Sequence, residues 1–249
     1  MVLKVKLTDL PPVSPEKSLD EFLSSSRLDL VRSLKSEGIL NSKIIEDALL
    51  HVPREEFLWP GTPKSVAYLD EPVLLDETGQ TITAPHMIVM MLEEFQLSPG
   101  LKVLEIGAGS GYNAALITHM VSKGISKAAE PLVVTIERNS VLAKFARNNI
   151  ERLHLAGYCQ VVEGDGSLGY PQESDQELYD RIMVTAGAPR IPAFLKKQLK
   201  TGGILEVPVG GDGYQQLTIV KRTTRKEFDQ RRSVDCVFVP LIGADANPA

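Results

Sequence analysis

The 249-residue sequence predicts an α/β fold: a doubly wound, mostly parallel sheet with an antiparallel C-terminal end and extra N-terminal helices. Three observations predict it. Beyond Gly100, short β-branched apolar runs alternate with helical stretches, as buried parallel strands joined by right-handed crossovers do. Near the C-terminus three further runs follow one another without a helix of comparable length, which suits an antiparallel addition. The first third shows helical spacing and a Pro/Gly/Asp-rich loop in place of this alternation. Residues 1–80 therefore read as N-terminal helices and a loop packed on a main domain of residues 81–249.

Taken in order, apolar residues recur at helical spacing over 19–40, with Gly38 as terminator, and a second helix over 41–52 must stop at Pro53. Residues 54–81 read as loop with short apolar pieces such as PVLL, and a helix over 85–96 ends at the turn SPG. KVLEIG, LVVTIE, CQVVEG and DRIMVTA are the parallel strands, and the helices between and after them cover 112–123, 141–153 and 193–199. ILEVPVG, QQLTIVKR and CVFVPLI form the antiparallel end. The run KRTTRKEFDQRR, residues 221–232, holds six basic and two acidic residues and reads as a solvated hairpin tip, with a patch for acidic partners as the other reading.

Composition narrows the function classes. With 43% hydrophobic residues the chain buries a substantial core, and its formal net charge of −5 disfavours tight binding to phosphate backbones. No apolar run approaches the ~18 residues that cross a bilayer. The opening MVLKVKLTDLPP lacks the apolar core of a secretory signal. Cys159 and Cys236 stand alone, and the four histidines (His51, His86, His119, His154) show no metal-ligand spacing. The expectation is a soluble, metal-free protein of a reducing, cytoplasmic compartment.

The stretch LEIGAGSGY follows a strand and opens a helix, where a βα turn binds a nucleotide-like ligand. Gly107 allows the sharp turn, Gly109 permits close ligand approach and Gly111 lets the helix begin tight against the loop. The spacing is G-x-G-x-G; a dinucleotide fingerprint would need glycine where Tyr112 stands. No Lys-Ser/Thr ending makes it a phosphate-gripping loop. Acidic residues fall at the strand ends on one side of the sheet. Glu137 ends VVTIE and can accept ribose hydroxyl protons, Asp165 follows VVEG and can accept from an adenine amine, and Glu105 can meet a cationic amino group. Ribose, adenine and ammonium together describe S-adenosylmethionine.

These stretches carry a resemblance to the protein-L-isoaspartate O-methyltransferase family, which esterifies abnormal isoaspartyl residues in proteins and peptides. VPREEF is similar to its segment after the N-terminal helices, GQTITAPHM to its signature stretch, and VLEIGAGSGYNAA to its cofactor loop. VVEGDG resembles its adenine-side loop, YDRIMVTAGA and GGILEVPVG its later strands, and FVPLIG the closing one. The resemblance implies a seven-stranded methyltransferase sheet, S-adenosyl-L-methionine as cofactor, and a methyl ester that breaks down through a succinimide to restore normal aspartate. It implies extra N-terminal helices, reads the loop that closes residues 1–80 as lying on the substrate side, and assigns Thr81, Thr83 and Gly166 to the cofactor with the residues named above. Thr83, His86, Val239 and Leu241 fall to the substrate, and Thr83 stands where the family has an active-site serine. The hydroxyl survives this change, and the added methyl restrains χ1.

The implied chemistry needs no general base, because a carboxylate titrates near pH 4 and is ionised at pH 7. It needs desolvation, alignment and hydrogen-bond donors for an anion. The helix start in QTITAPHM offers these: with Pro85 first in the helix, Ala84 at the N-cap cannot satisfy the free N–H groups, and with Thr83 at the N-cap its hydroxyl would turn to the His86 N–H. Three other functions share parts of the pattern. A methyltransferase for small molecules or nucleic acid would share the sheet and loop, although the base-amine type needs a polar aromatic motif where VTAGAP stands. A nicotinamide oxidoreductase is disfavoured by Tyr112. A non-catalytic S-adenosylmethionine-binding protein would have no reason to keep QTITAPHM.

Overall fold

A computed structural model of the chain describes residues 18–75, 79–211 and 213–248. The opening stretch read against a secretory signal lies outside these residues. Contacts divide the chain into two units, Met1–Glu93 and Glu94–Ala249.

In the first unit, helix α1 (Leu19–Ser36) starts with a reciprocal capping box: Glu21 N–H donates to Ser18 Oγ at 3.2 Å and Ser18 N–H to the Glu21 carboxylate at 2.9 Å. It buries Leu23, Val31 and Leu34 and ends ahead of Gly38, whose φ of +73° only glycine adopts freely. Helix α2 (Lys43–His51) stops at Pro53 as the sequence requires. The segment expected to be loop holds two 3₁₀ turns, Arg54–Phe57 and Lys64–Val66, and one strand of a two-stranded antiparallel ribbon, β1 (Val73–Leu74) with β2 (Thr81–Ile82). Two-residue strands are too short for alternation to reveal them. Helix α3 (Pro85–Phe95) follows. The β1–β2 pairing and hydrogen bonds from Asn41 N–H, Ser42 N–H and Ser42 Oγ to Glu93 tie residues 81–93 to this unit.

The second unit is a seven-stranded sheet. Its strands are β3 (Val103–Ile106), β4 (Val133–Glu137), β5 (Cys159–Glu163), β6 (Tyr179–Val184), β7 (Leu199–Gly211), β8 (Tyr214–Arg222) and β9 (Phe228–Cys236). The order is β5-β4-β3-β6-β7-β8-β9, parallel through β7 and antiparallel from β7 to β9. Helices α4 (Tyr112–Val121), α5 (Ser140–Arg152) and α6 (Ala193–Gln198) are the crossovers. Strand order reverses at β3, which has β4 on one side and β6 on the other, so the ligand crevice of such a sheet opens at the carboxyl end of β3. Leu104, Ile106, Ile182, Val184, Leu205 and Val207 form the centre of the core.

The last strand departs from expectation. CVFVPLI leaves the sheet after Cys236, and β9 is the charged stretch FDQRRSVDC. Edge strands carry charge because an apolar edge would recruit other chains, so hydrophobicity is a poor guide there. The basic run is a hairpin tip only over 223–227. Its start ends β8, where buried Arg222 donates to the carbonyls of Leu199 and Arg225 at 2.5 and 2.6 Å, and its end lies in β9, where Arg231 pairs with Glu94.

Candidate active site

The carboxyl end of β3 runs into the glycine loop, and three contacts hold it. Gly107 has φ +101°, and a Cβ there would collide with the Thr185 hydroxyl, which lies 3.0 and 2.8 Å from the carbonyls of Ile106 and Gly107. Glycine is therefore required by the backbone angle and by the packing. Gly111, φ +85°, is the N-cap of α4, and its missing side chain lets Ala146 of α5 approach. Asn149 of α5 donates to the Ser110 carbonyl at 2.9 Å.

Glu137 clamps the same loop. It is 6% exposed, and its two oxygens accept from Gly109 N–H and Asn139 N–H, each at 2.9 Å. A carboxylate has about four lone-pair sites, so two bonds leave capacity for ribose hydroxyls. The structure therefore brings Glu137 and the glycine loop together. Gly166 joins them: a Cβ there would strike Ile106, the last residue of β3.

Two acidic residues have roles that spacing did not reveal. Glu105 is wholly buried, and its oxygens accept from Asn113 Nδ2 of α4 at 2.7 Å and from Thr135 Oγ1 of β4 at 2.5 Å. Burial pushes its carboxyl up to about 7, the two donors opposing and the nearby Glu137 charge adding to the rise. Its geometry pins α4 to the sheet, which corrects the expectation of an open carboxylate facing an ammonium group: a β3 side chain opposite Thr135 points under the helix and not out of the strand end. Asp165 is at the expected strand end but already engaged. Its Oδ1 accepts from Ser167 N–H and Oγ at 2.9 and 2.7 Å, and its Oδ2 from Ala244 N–H at 2.7 Å. It thereby latches the C-terminal turn, and Asp245 N–H adds a bond to Ser167 Oγ at 3.0 Å. Asp165 lines an open surface pocket with Arg138, Ile242, Gly243, Ala244 and Ala246.

Of the C-terminal pair, Leu241 is 6% exposed within the core and bonds through its N–H to the Gly187 carbonyl at 2.8 Å. Its side chain packs in the core cluster. Val239 is half-buried, and its carbonyl accepts from Gly187 N–H at 2.8 Å.

Thr81, Thr83 and His86 belong to the first unit. Thr81 pairs with Leu74 in the ribbon, and Thr83 sits half-buried between β2 and α3. Pro85 is the first helical residue and the Ala84 carbonyl accepts from Ile88 N–H at 3.1 Å, so Ala84 is at the N-cap. The His86 donor, however, is not free. Asp70 Oδ1 accepts it at 2.8 Å and lies 3.0 Å from His86 Nδ1. A carboxylate from the preceding loop thus does what the local cap cannot. Asp70 was invisible because its partner is sixteen residues away; Thr185 and Thr135 were missed for the same reason.

The donor and acceptor set, a glycine loop with acceptor carboxylates and no lysine, fits a ligand rich in hydroxyl and amine donors and not a phosphate chain. Comparison with known proteins agrees. The family model described as Protein-L-isoaspartate(D-aspartate) O-methyltransferase matches residues 25–246. The protein-L-isoaspartate O-methyltransferase of Methanopyrus kandleri is 44% identical over 226 residues, covering 91% of this chain and 95% of that protein. The one from Hyperthermus butylicus is 44% identical over 229 residues, covering 90% and 91%. Among solved structures, a protein-L-isoaspartate O-methyltransferase of 32% identity superposes with TM-score 0.76, covering 89% of this chain and 67% of that one. A Plasmodium falciparum protein of that description, in complex with S-adenosyl-L-homocysteine, has TM-score 0.73 at 26% identity, covering 86% and 97%. The chain belongs to the protein-L-isoaspartate(D-aspartate) O-methyltransferase family.

Proposed function

We propose that this protein transfers a methyl group from S-adenosyl-L-methionine to the free carboxylate of L-isoaspartyl residues in damaged proteins and peptides, starting their repair through a succinimide. The observation that carries the reading is the family match across residues 25–246, which takes in both the glycine loop and QTITAPHM. Glu137, the Gly107–Gly109–Gly111 loop and the Asp165–Gly166 turn hold the cofactor in this reading, and Thr81 and Thr83 are assigned to it as well. When bound, the cofactor would supply an electrophilic sulfonium methyl group for the substrate carboxylate.

The chain's own residues have three tasks. Thr83 donates its hydroxyl to the isoaspartyl carboxylate and orients one oxygen; well-held alignment of this kind can supply about 7–11 kcal/mol. Its branched Cβ limits the hydroxyl to fewer rotamers than serine would have. His86 and Val239 border the peptide. Glu105 acts through α4, keeping the loop in place beneath the reaction. No residue has to remove a proton, so the Asp70–His86 pair is not required as a general base. A cytoplasmic location completes the proposal, in keeping with two buried free cysteines; among the described residues no helix is long and apolar enough to cross a membrane.

The test follows repair itself. An isoaspartyl peptide incubated with the protein and S-adenosyl-L-methionine should accumulate the normal aspartyl isomer over repeated methylation and succinimide cycles, resolved by chromatography. An isomer ratio equal to that without protein would refute the assignment.

A further inference from the structure

One oxygen of Asp70 meets His86 twice, through the main-chain N–H at 2.8 Å and through Nδ1 at 3.0 Å. A carboxylate oxygen brings lone pairs and no proton, so Nδ1 must carry the hydrogen. In the neutral ring the other nitrogen, Nε2, is then an acceptor. The pair is held in place from behind. Tyr68, two residues before Asp70, is 8% exposed, and its hydroxyl bonds to Glu55 and accepts from Arg27 Nε at 2.6 Å. Arg27 also reaches the Leu50 carbonyl at 2.9 Å and Glu55 at 2.8 Å. The segment bearing Asp70 is therefore braced against α1 and the turn after α2, while the His86 side chain keeps 40% of its surface exposed for a ligand.

We propose that Asp70 is a positioning residue for methyl transfer: by taking the Nδ1 proton it makes His86 an acceptor through Nε2, suited to a main-chain N–H of the isoaspartyl peptide and not to the carboxylate that is methylated. This rests on the reading of His86 as a substrate contact. It divides the labour within QTITAPHM. The His86 main-chain donor is spent on Asp70, so recognition of the anion falls to the Thr83 hydroxyl, and His86 fixes the register of the peptide. Every residue but proline carries a main-chain N–H, so such a contact restricts the sequence around the damaged site only by excluding proline at one position.

The experiment uses the full chain and an isoaspartyl pentapeptide in which each main-chain amide in turn is replaced by an ester. With the unaltered protein, one ester peptide should lose about 3- to 10-fold in kcat/KM, the value of one hydrogen bond. In His86→Phe that specific loss should vanish. Long-range proton–nitrogen NMR should show His86 as the Nδ1–H tautomer in the unaltered protein and let the Nε2–H form appear in Asp70→Asn. That variant keeps an acceptor for the helix start, so its fold should survive while KM rises and kcat holds. Equal ester penalties in both proteins, or an Nε2–H tautomer in the unaltered one, would overturn the proposal. No methylation of the parent peptide by the unaltered protein would overturn the underlying function and the proposal with it.

Discussion

A single methyl group on Thr83 separates this chain from the serine its family resemblance implies, and that group cannot replace the hydroxyl. Thr83→Ser should therefore keep activity within a few-fold, while Thr83→Val, nearly the same shape without the donor, should lower kcat by about 10-fold or more. Steady-state methylation of one isoaspartyl peptide by the three proteins decides this, and equal rates in Thr83→Val would remove the hydroxyl from the account. Glu105 makes a different residue-scale prediction. Burial raises its carboxyl from the ordinary 4.5 to about 7, so between those values the folded protein keeps a proton that the unfolded chain has lost. Its stabilising contribution is full at low pH, falls as pH rises through this window and is gone above about 7. Glu105→Gln should flatten that slope, by about 2–3 kcal/mol between pH 4.5 and 8 in denaturant titrations. An unchanged slope would place the pH dependence elsewhere.

Strand β7 shows what one element tolerates for the sake of its place in the sheet. Register aligns Thr135, Glu105, Met183, Glu206, Ile219 and Arg231 in one row across one face. Glu206 in that row is fully buried, neither of its oxygens has a hydrogen-bond partner among the described residues, and burial holds its carboxyl well above the usual range, with Glu94 adding to the rise and Arg231 and Arg181 opposing it. An unpaired buried carboxyl costs stability, so Glu206→Met should stabilise the protein by about 1–3 kcal/mol, and more at pH 8 than at pH 5 because ionisation becomes costlier as pH rises. Thermal melts at the two pH values test it; a destabilised variant would mean that Glu206 has a partner. The C-terminal turn offers the second element-scale prediction. A Cβ on Gly243 would collide with Asp165 and Ser167, so Gly243→Ala should displace the turn while leaving the Asp165 carboxylate in place. If Asp165 serves the adenine side, Asp165→Ala should weaken S-adenosyl-L-homocysteine binding by about 1–3 kcal/mol in calorimetry and Gly243→Ala by less. Equal losses would make the turn, and not the carboxylate, the determinant.

At the scale of the whole chain, legibility followed the range of the interactions. The parallel strands, their crossover helices and the glycine loop were readable because buried β-branched runs and a strand–turn–helix junction are local patterns. The place of Glu137 at a strand end was readable for the same reason. The edge strand β9 was misread because its charges obey solubility and not burial. Asp70, Thr185 and the engagement of Asp165 by Ala244 were invisible, each depending on a partner distant in sequence that only the fold supplies. Glu105 was visible but misassigned, because pleating turned it under α4.

The central claim is carboxyl methylation selective for the isoaspartyl linkage. It is tested most directly by incubating the protein with methyl-labelled S-adenosyl-L-methionine and two peptides that differ only in Asp or isoAsp linkage. The account predicts base-labile label on the isoaspartyl peptide alone. Label on neither peptide, or equally on both, would contradict it.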